Sequence, residues 1–189
     1  MSIKFGDVCR FKSRLYAVDK TGRTVAVGPD DSTVQLVAES LVGGGQVKFL
    51  VESKGDLLLV DVYGCARIGF PGHNPARTHL FKLNEKETEW VKLNRLGDII
   101  LFLGADCSFS ASASDLSVAK GNCVIFLENV FPSFQHFGFD HFPRGLNRTT
   151  TGCVLDLDKH QLSPLSDYPE YFNLFPQPPE WIVKSCIRN

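Results

Sequence analysis

Short apolar segments recur along the chain between clusters of Gly, Asp, Asn and Lys, and helical periodicity is hard to find. The segments are rich in Val, Leu, Phe and Tyr, a pattern typical of antiparallel β proteins. The clearest hairpin joins residues 15–18 to residues 24–27 through the turn at 19–23. Gly22 gives that turn a residue that tolerates positive φ. The pattern therefore predicts an all-β chain.

An irregular repeat becomes visible when the hairpins are laid over one another. The predicted strands are 8–11, 15–18, 24–27 and 34–38 in the first unit, 48–52, 56–62, 79–83 and 90–93 in the second, and 108–112, 122–127, 152–157 and 161–165 in the third. Antiparallel four-stranded units of this length are typical of propeller blades. We therefore predict one domain over residues 1–189, a partial β-propeller with blades at about 5–40, 47–95 and 106–166 and a closing segment at 167–189.

Three blades are too few to complete a ring, because known propellers have at least four and each blade buries its faces against its neighbours. The sequence therefore predicts an open stack of blades with apolar end faces left exposed. Exposed apolar faces drive association. We expect the chain to self-associate through them.

Two long inserts fall between the second and third strands of their units, at residues 64–78 and 128–151. Equivalent loops of a radial stack project on one rim, and long loops on a rigid scaffold are a usual place for binding. Basic and aromatic side chains in these inserts are the predicted partner-binding residues: Arg67, Phe70, His73, Arg77, Phe134, His136, Phe137 and Phe139. The alternative is that the phenylalanines pack against a blade and stabilise it.

Composition narrows the class of protein. Hydrophobic residues make up 43% and charged residues 22% of the 189 residues, and no apolar run is long enough to cross a membrane. The net charge of −1 comes from interspersed charges, which argues against a nucleic-acid-binding face. Six cysteines without a tight pair indicate free thiols in a reducing compartment. No apolar stretch follows Lys4, so no secretory signal is expected and the predicted location is the cytosol or nucleus.

The sequence gives only weak support for a catalytic or metal-binding site. Cys65, His73, His79, His136 and His141 could hold a metal, but their spacing matches no tight ligand pair. The serine-rich stretch 108–117 lacks a nucleophile elbow, and the glycines at 43–45 lack the Lys-Ser/Thr pair of a phosphate loop. We therefore predict a non-enzymatic interaction module without cofactor or metal. The alternative is a metal-dependent or Cys/His-based hydrolase that uses the long inserts.

Several segments in order resemble one known family. Residues 11–25 (FKSRLYAVDKTGRTV), 48–61 (KFLVESKGDLLLVD), 96–104 (LGDIILFLG), 107–115 (CSFSASASD) and 120–126 (KGNCVIF) are similar to blocks of a large plant family of F-box proteins. Residues 168–183 resemble the closing segment of that family. Its members carry a carboxy-terminal β-propeller domain of the kelch-like or kinase-inhibitor type. The resemblance implies such a propeller here and a role as substrate receptor of a ubiquitin ligase.

The chain departs from the family at its amino terminus. The first thirty residues show no Leu-Pro-rich helical pattern of an F-box, and the sequence resembles the carboxy-terminal part of the propeller domain. Contact with the ligase adaptor therefore cannot be assigned to any residue of this chain. It is expected only if a longer form carries an F-box. The protein partner itself is not indicated by the sequence.

Overall fold

The computed structural model describes residues 5–28, 33–45, 47–63, 78–104, 107–127 and 152–175. Almost all regular structure in these residues is β. The strands are β1 (Phe5–Phe11), β2 (Arg14–Asp19), β3 (Thr24–Val27), β4 (Val34–Ala38), β5 (Val47–Ser53), β6 (Asp56–Val62), β7 (Thr78–Asn84), β8 (Glu89–Leu93), β9 (Ile99–Leu103), β10 (Ser108–Ser112), β11 (Cys123–Leu127), β12 (Gly152–Asp156) and β13 (Gln161–Pro164). A 3₁₀ turn (Leu165–Asp167) and the short helix α1 (Pro169–Phe172) follow.

The first two sheets are antiparallel meanders of four strands each, in the orders β1-β2-β3-β4 and β5-β6-β7-β8. The turn between β2 and β3 is fixed by the Asp19 carboxylate, whose Oδ1 accepts hydrogen bonds from the N–H groups of Thr21 and Arg23. Gly22 has φ of 91° in this turn, the left-handed conformation that the sequence predicted for it. Local turn chemistry therefore sets the register of the first sheet.

The third sheet departs from the predicted four strands. It contains five strands in the order β10-β9-β11-β12-β13, and β9 pairs with β11 in parallel. The additional strand β9 has the sequence IILFL, and all five of its residues are buried. A strand covered on both faces shows no alternation of apolar and polar residues, so the hydrophobic pattern alone did not reveal it.

The three sheets stack face to face in chain order. One core lies between the first and second sheets and includes Phe11, Tyr16 and Trp90, and a second core lies between the second and third sheets. The strands β1, β5 and β10 lie side by side at one edge of the stack, whereas the outermost strands β4 and β8 barely touch. Such wedge-shaped stacking is the arrangement of propeller blades. The prediction of an all-β, open, partial propeller is confirmed.

The two end faces of the stack differ. The outer face of the third sheet is covered by the segment that follows β13, where Tyr171 is buried and its hydroxyl donates a hydrogen bond to the Lys120 carbonyl oxygen at 2.5 Å. The outer face of the first sheet leaves Val8, Leu15 and Val34 exposed. The expectation of uncovered faces at both ends is therefore wrong for the third sheet. Among the described residues, no helix is long and apolar enough to cross a membrane.

Candidate functional site

The predicted partner-binding side chains lie outside the described residues. Arg67, Phe70, His73 and Arg77 fall in 64–77, and Phe134, His136, Phe137 and Phe139 fall in 128–151. The shared rim, and the alternative that the phenylalanines pack on a blade, therefore stay predictions.

The metal hypothesis is tested at a single described member of its proposed set, His79. Its Nδ1 lies 3.0 Å from the Tyr63 hydroxyl, and the two rings meet edge to face. Cys65, His73, His136 and His141 are outside the described residues. Within the described ranges, no group of three or more His, Cys, Asp or Glu side chains is placed to hold a metal ion.

A cleft of about 510 Å³ runs along the three innermost strands of the stack. Its walls are residues 7–10 of β1, Leu50, Glu52 and Lys54 on and next to β5, and Gly104 with residues 107–110 on and next to β10. Each of these strands is an edge strand of its own sheet. An edge strand has one row of backbone N–H and C=O groups that no neighbouring strand satisfies. The cleft is therefore a place where three such rows meet.

Hairpin geometry determines which backbone groups point into the cleft. Lys12 and Ser13 form the two-residue turn after β1, with φ of 45° and 63°, so the flanking residues form a hydrogen-bonded pair. Hydrogen-bonded and non-bonded pairs alternate along an antiparallel ladder. The backbone groups of Val8 and Arg10 are therefore directed away from β2. By the same alternation from its own two-residue turn, β5 directs Leu50 and Glu52 outward.

The free edge of β5 is satisfied by side chains from both neighbouring sheets. Leu50 N–H donates to Asp7 Oδ2 at 2.8 Å, and Ser110 Oγ donates to the Glu52 carbonyl oxygen at 2.9 Å. Asp7 Oδ1 also accepts the N–H of Val8 at 2.8 Å. Burial raises the pKa of Asp7, although these N–H donors act in the opposite direction. These bonds join the three sheets along the floor of the cleft.

The Cys9 thiol at the cleft is not activated as a nucleophile. Burial raises the pKa of the Cys9 thiol against the effect of the Glu52 backbone, and the charges of Asp7 and Glu52 raise it further. A thiol with a raised pKa stays protonated near neutral pH and is a poor nucleophile. Cys107 is exposed. The described residues that line the cleft include no histidine that could act as a base.

Charge is balanced among the described residues that line the cleft. Arg10 and Lys54 supply two cations, and Asp7 and Glu52 supply two carboxylates. None of these four side chains forms an ion pair within the part of the chain that the structure describes. Balanced charge does not favour a polyanion. The arrangement suits the binding of a polar ligand.

Sequence reasoning missed these cleft residues because it looked for function in the long loops. The sequence repeat did contain a signal for the position of the cleft. The first predicted strand of each unit is the innermost strand of a blade, and alternate residues of an innermost strand face the axis. The small side chains of residues 108–112 suit such a crowded axis, which is where β10 lies.

Comparison with known proteins agrees with this architecture. A family model described as the KIB1-4 beta-propeller matches residues 2–155. The F-box protein SKIP23 of Arabidopsis thaliana is 39% identical over 200 residues, covering 97% of this chain and 47% of that protein. The Arabidopsis F-box protein At2g17036 is 34% identical over 197 residues, with 95% and 45% covered.

A more distant relative is the putative F-box/kelch-repeat protein At5g24040 of Arabidopsis, 23% identical over 185 residues, covering 96% of this chain and 47% of that protein. The chain thus spans less than half the length of these relatives. No solved structure matches it significantly. From the family match over most of its length and the stacked four- and five-stranded sheets, the chain belongs to the KIB1-4 β-propeller family of plant F-box proteins.

Proposed function

We propose that this chain is the partner-recognition part of an F-box protein and that, in a longer form, it presents the bound protein to a ubiquitin ligase. The observation that carries the proposal is the family match over residues 2–155, together with relatives that are named F-box proteins. An F-box contacts the ligase adaptor, and the propeller of such a protein is the natural place for the substrate. The cytosol or nucleus is the proposed location.

The inner cleft supports a binding role without catalysis. It offers rows of backbone groups and the charged side chains of Arg10, Glu52 and Lys54, which form no ion pair with another described residue. Its Cys9 thiol has a raised pKa. These features suit recognition of a polypeptide. We therefore propose a non-enzymatic receptor, with the loops that carry Phe134 and Phe137 as a second contact surface.

The test measures both the capture of a partner protein and the rate of its degradation. In a chimera, this chain replaces the matched half of the Arabidopsis relative SKIP23, and the tagged chimera is expressed in plant cells. Captured proteins are identified by quantitative mass spectrometry, and their half-lives are then measured. We expect at least one captured protein to be ubiquitylated and to turn over faster than in cells without the chimera.

The control is the same chimera without its F-box, which should capture the protein and leave its half-life unchanged. A second variant, Phe134→Ala with Phe137→Ala, should weaken capture without lowering the unfolding temperature if these side chains face the partner. Captured proteins whose half-lives do not respond to the F-box would contradict the ligase role.

A further inference from the structure

The edge of β10 in the inner cleft is a part of the site that the described protein groups leave unfilled. Gly104 N–H donates to the Cys107 carbonyl oxygen at 3.0 Å, and Ala113 N–H donates to the Asp98 carbonyl oxygen at 2.8 Å. These bonds fix the alternation of the β9–β10 ladder at both of its ends. Residues 107, 109, 111 and 113 therefore bond to β9, whereas Ser108 and Ser110 direct their N–H and C=O groups to the open edge.

The three inner edges are not equally available. On β5, Asp7 and Ser110 side chains already satisfy Leu50 N–H and the Glu52 carbonyl oxygen. On β10, the backbone groups of Ser108 and Ser110 have no hydrogen-bond partner within the described ranges. Both residues line the cleft. On β10, the open row of donors and acceptors therefore lies on one wall of the cavity.

We propose that this wall binds an extended peptide segment, which adds to β10 as a further strand. The inference rests on the proposed function, because the segment would belong to the protein that the propeller recognises. Strand addition gives affinity through main-chain hydrogen bonds and specificity through alternate side chains. A peptide supplies the alternating N–H and C=O groups that the free edge of Ser108 and Ser110 requires.

The surroundings of the edge fit a peptide better than a phosphorylated ligand. Among the described lining residues, two cations, Arg10 and Lys54, are balanced by the carboxylates of Asp7 and Glu52, and balanced charge does not favour a polyanion. Val8 and Phe109, which are 54% and 47% exposed, add apolar surface at the same cleft. The Phe109 ring stacks on Phe102 at 4.7 Å, which holds it in place for contact. An extended segment with both polar and apolar side chains matches this lining.

The test uses a matched pair of variants at one position. Ser110→Pro and Ser110→Ala both remove the hydroxyl group that bonds to Glu52, but only proline removes the outward N–H. Proline is tolerated on an edge strand where its nitrogen faces away from the ladder. Phe109 before it is extended, as a residue preceding proline prefers. Any difference in binding between the two variants therefore reports on the open edge.

The probe is a phage-displayed library of random dodecapeptides, selected against the whole chain. Selected peptides are synthesised, and their affinity is measured by fluorescence anisotropy. We expect Ser110→Pro to bind about tenfold more weakly than Ser110→Ala, the loss that corresponds to one main-chain hydrogen bond. We also expect the amide hydrogens of Ser108 and Ser110 to exchange more slowly when peptide is bound.

A second measurement covers the case in which Ser110→Pro fails to fold. Each N–H of the selected peptide is methylated in turn, and binding to the unmodified chain is measured. Strand addition predicts that methylation weakens binding at every second position, with the intervening positions unaffected. Uniform tolerance of methylation, or no selected peptide, would overturn the proposal.

The outcome is separable from that of the proposed function. A partner that is captured and degraded equally well by the Ser110→Pro and Ser110→Ala chimeras would overturn strand addition and leave the receptor role intact. Alternating sensitivity to methylation without any degraded partner would support strand addition and contradict the ligase role.

Discussion

Lys48 and Asp61 form an ion pair with no exposed side-chain surface on the two neighbouring strands β5 and β6, with Nζ and Oδ1 2.5 Å apart. Gly45 completes the network: its N–H donates to Asp61 Oδ1 at 2.9 Å and Oδ2 at 3.0 Å, and its carbonyl oxygen accepts from Lys48 Nζ. A Cβ at Gly45 would lie 2.3 Å from the Val62 carbonyl oxygen, so only glycine fits there. The polar groups are therefore mutually satisfied.

Removing one partner of this ion pair should lower the free energy of unfolding more than replacing both partners with apolar residues. Lys48→Met leaves the Asp61 carboxylate buried without its cation, and the free energy of unfolding should fall by about 3–5 kcal/mol. The double variant Lys48→Met with Asp61→Leu removes both charges and should recover most of that loss. Urea unfolding followed by fluorescence measures all three proteins.

The control is the exposed pair of the same sheet, Lys82 and Asp56, whose Nζ and Oδ2 are 2.7 Å apart with side chains 45% and 42% exposed. Lys82→Met should cost less than about 1 kcal/mol, because solvent screens an exposed pair. If the double variant is no more stable than Lys48→Met alone, the account of a coupled buried pair is wrong.

Asp7 should make stability depend on pH in the direction opposite to that of a salt-bridged carboxylate. Burial raises its pKa in the folded chain above 3.8, so folding favours the protonated form. The stabilisation from proton binding is fully present below 3.8 and is lost as pH rises through the folded pKa. Asp7→Asn cannot titrate, but its amide oxygen can still accept a backbone hydrogen bond.

Thermal unfolding of both proteins at several values from about pH 4 to pH 7 measures this effect. We expect the stability of the unmodified chain relative to Asp7→Asn to increase as pH falls. Because every other carboxylate is common to the two proteins, its titration cancels in the difference. A relative stability that decreases with falling pH would show that the Asp7 pKa is lowered instead.

The outer face of the first sheet should drive self-association. The strand registers place Val8 beside Ala17 and Leu15 beside Val27, and the row continues to Val34 on β4. Val8, Leu15 and Val34 are 54%, 52% and 67% exposed, so this apolar face is open to a partner. We expect light scattering to detect species larger than 21.0 kDa.

Leu15→Lys with Val34→Lys should shift the chain toward monomer, because lysine keeps the face hydrated. Val91→Lys on β8 is the matched control, since Val91 is a 44% exposed valine of another sheet. It should leave association unchanged. A monodisperse monomer of the unmodified chain would contradict the prediction, as would equal effects of the variants at the two sites.

Much of the architecture was predictable because turn chemistry and alternation are local signals. The turn at 19–23 and the two meanders follow from Gly22, Asp19 and short alternating segments. The parallel strand β9 was not predictable in the same way, since a run of five buried residues carries no period. The helical cover of the third sheet was also not predicted, because the four residues of α1 are too few to show a helical period.

The candidate site was less predictable than the fold. The cleft depends on which strand edges meet in space, and hydrogen bonds such as Leu50 N–H to Asp7 join residues 43 positions apart. The composition of residues 7–10 or 107–110 does not distinguish an edge from a central strand. Only the sheet order reveals that β1, β5 and β10 are all edges.

Cysteine reactivity offers a further check on burial. The four cysteines in the described part of the chain are free thiols, as the sequence predicted. Burial raises the pKa of Cys123 to about 11, against weaker opposing contacts, and the pKa of Cys153 to about 12. At pH 8 only about one molecule in a thousand and one in ten thousand would carry the thiolate at these sites. Alkylation requires the thiolate and access to it.

Iodoacetamide labelling of the folded chain at about pH 8, followed by peptide mass spectrometry, should therefore modify Cys107 before Cys123 and Cys153. Cys123 and Cys153 should react only as fast as the third sheet opens. Adding urea above the unfolding midpoint should make all three cysteines react at similar rates.

Tyr171→Ala provides a sharper test, because Tyr171 lies in the core that covers Cys123. Its loss should accelerate labelling of Cys123 while that of Cys107 stays constant, and an unchanged Cys123 rate would show that the helical segment does not protect this face.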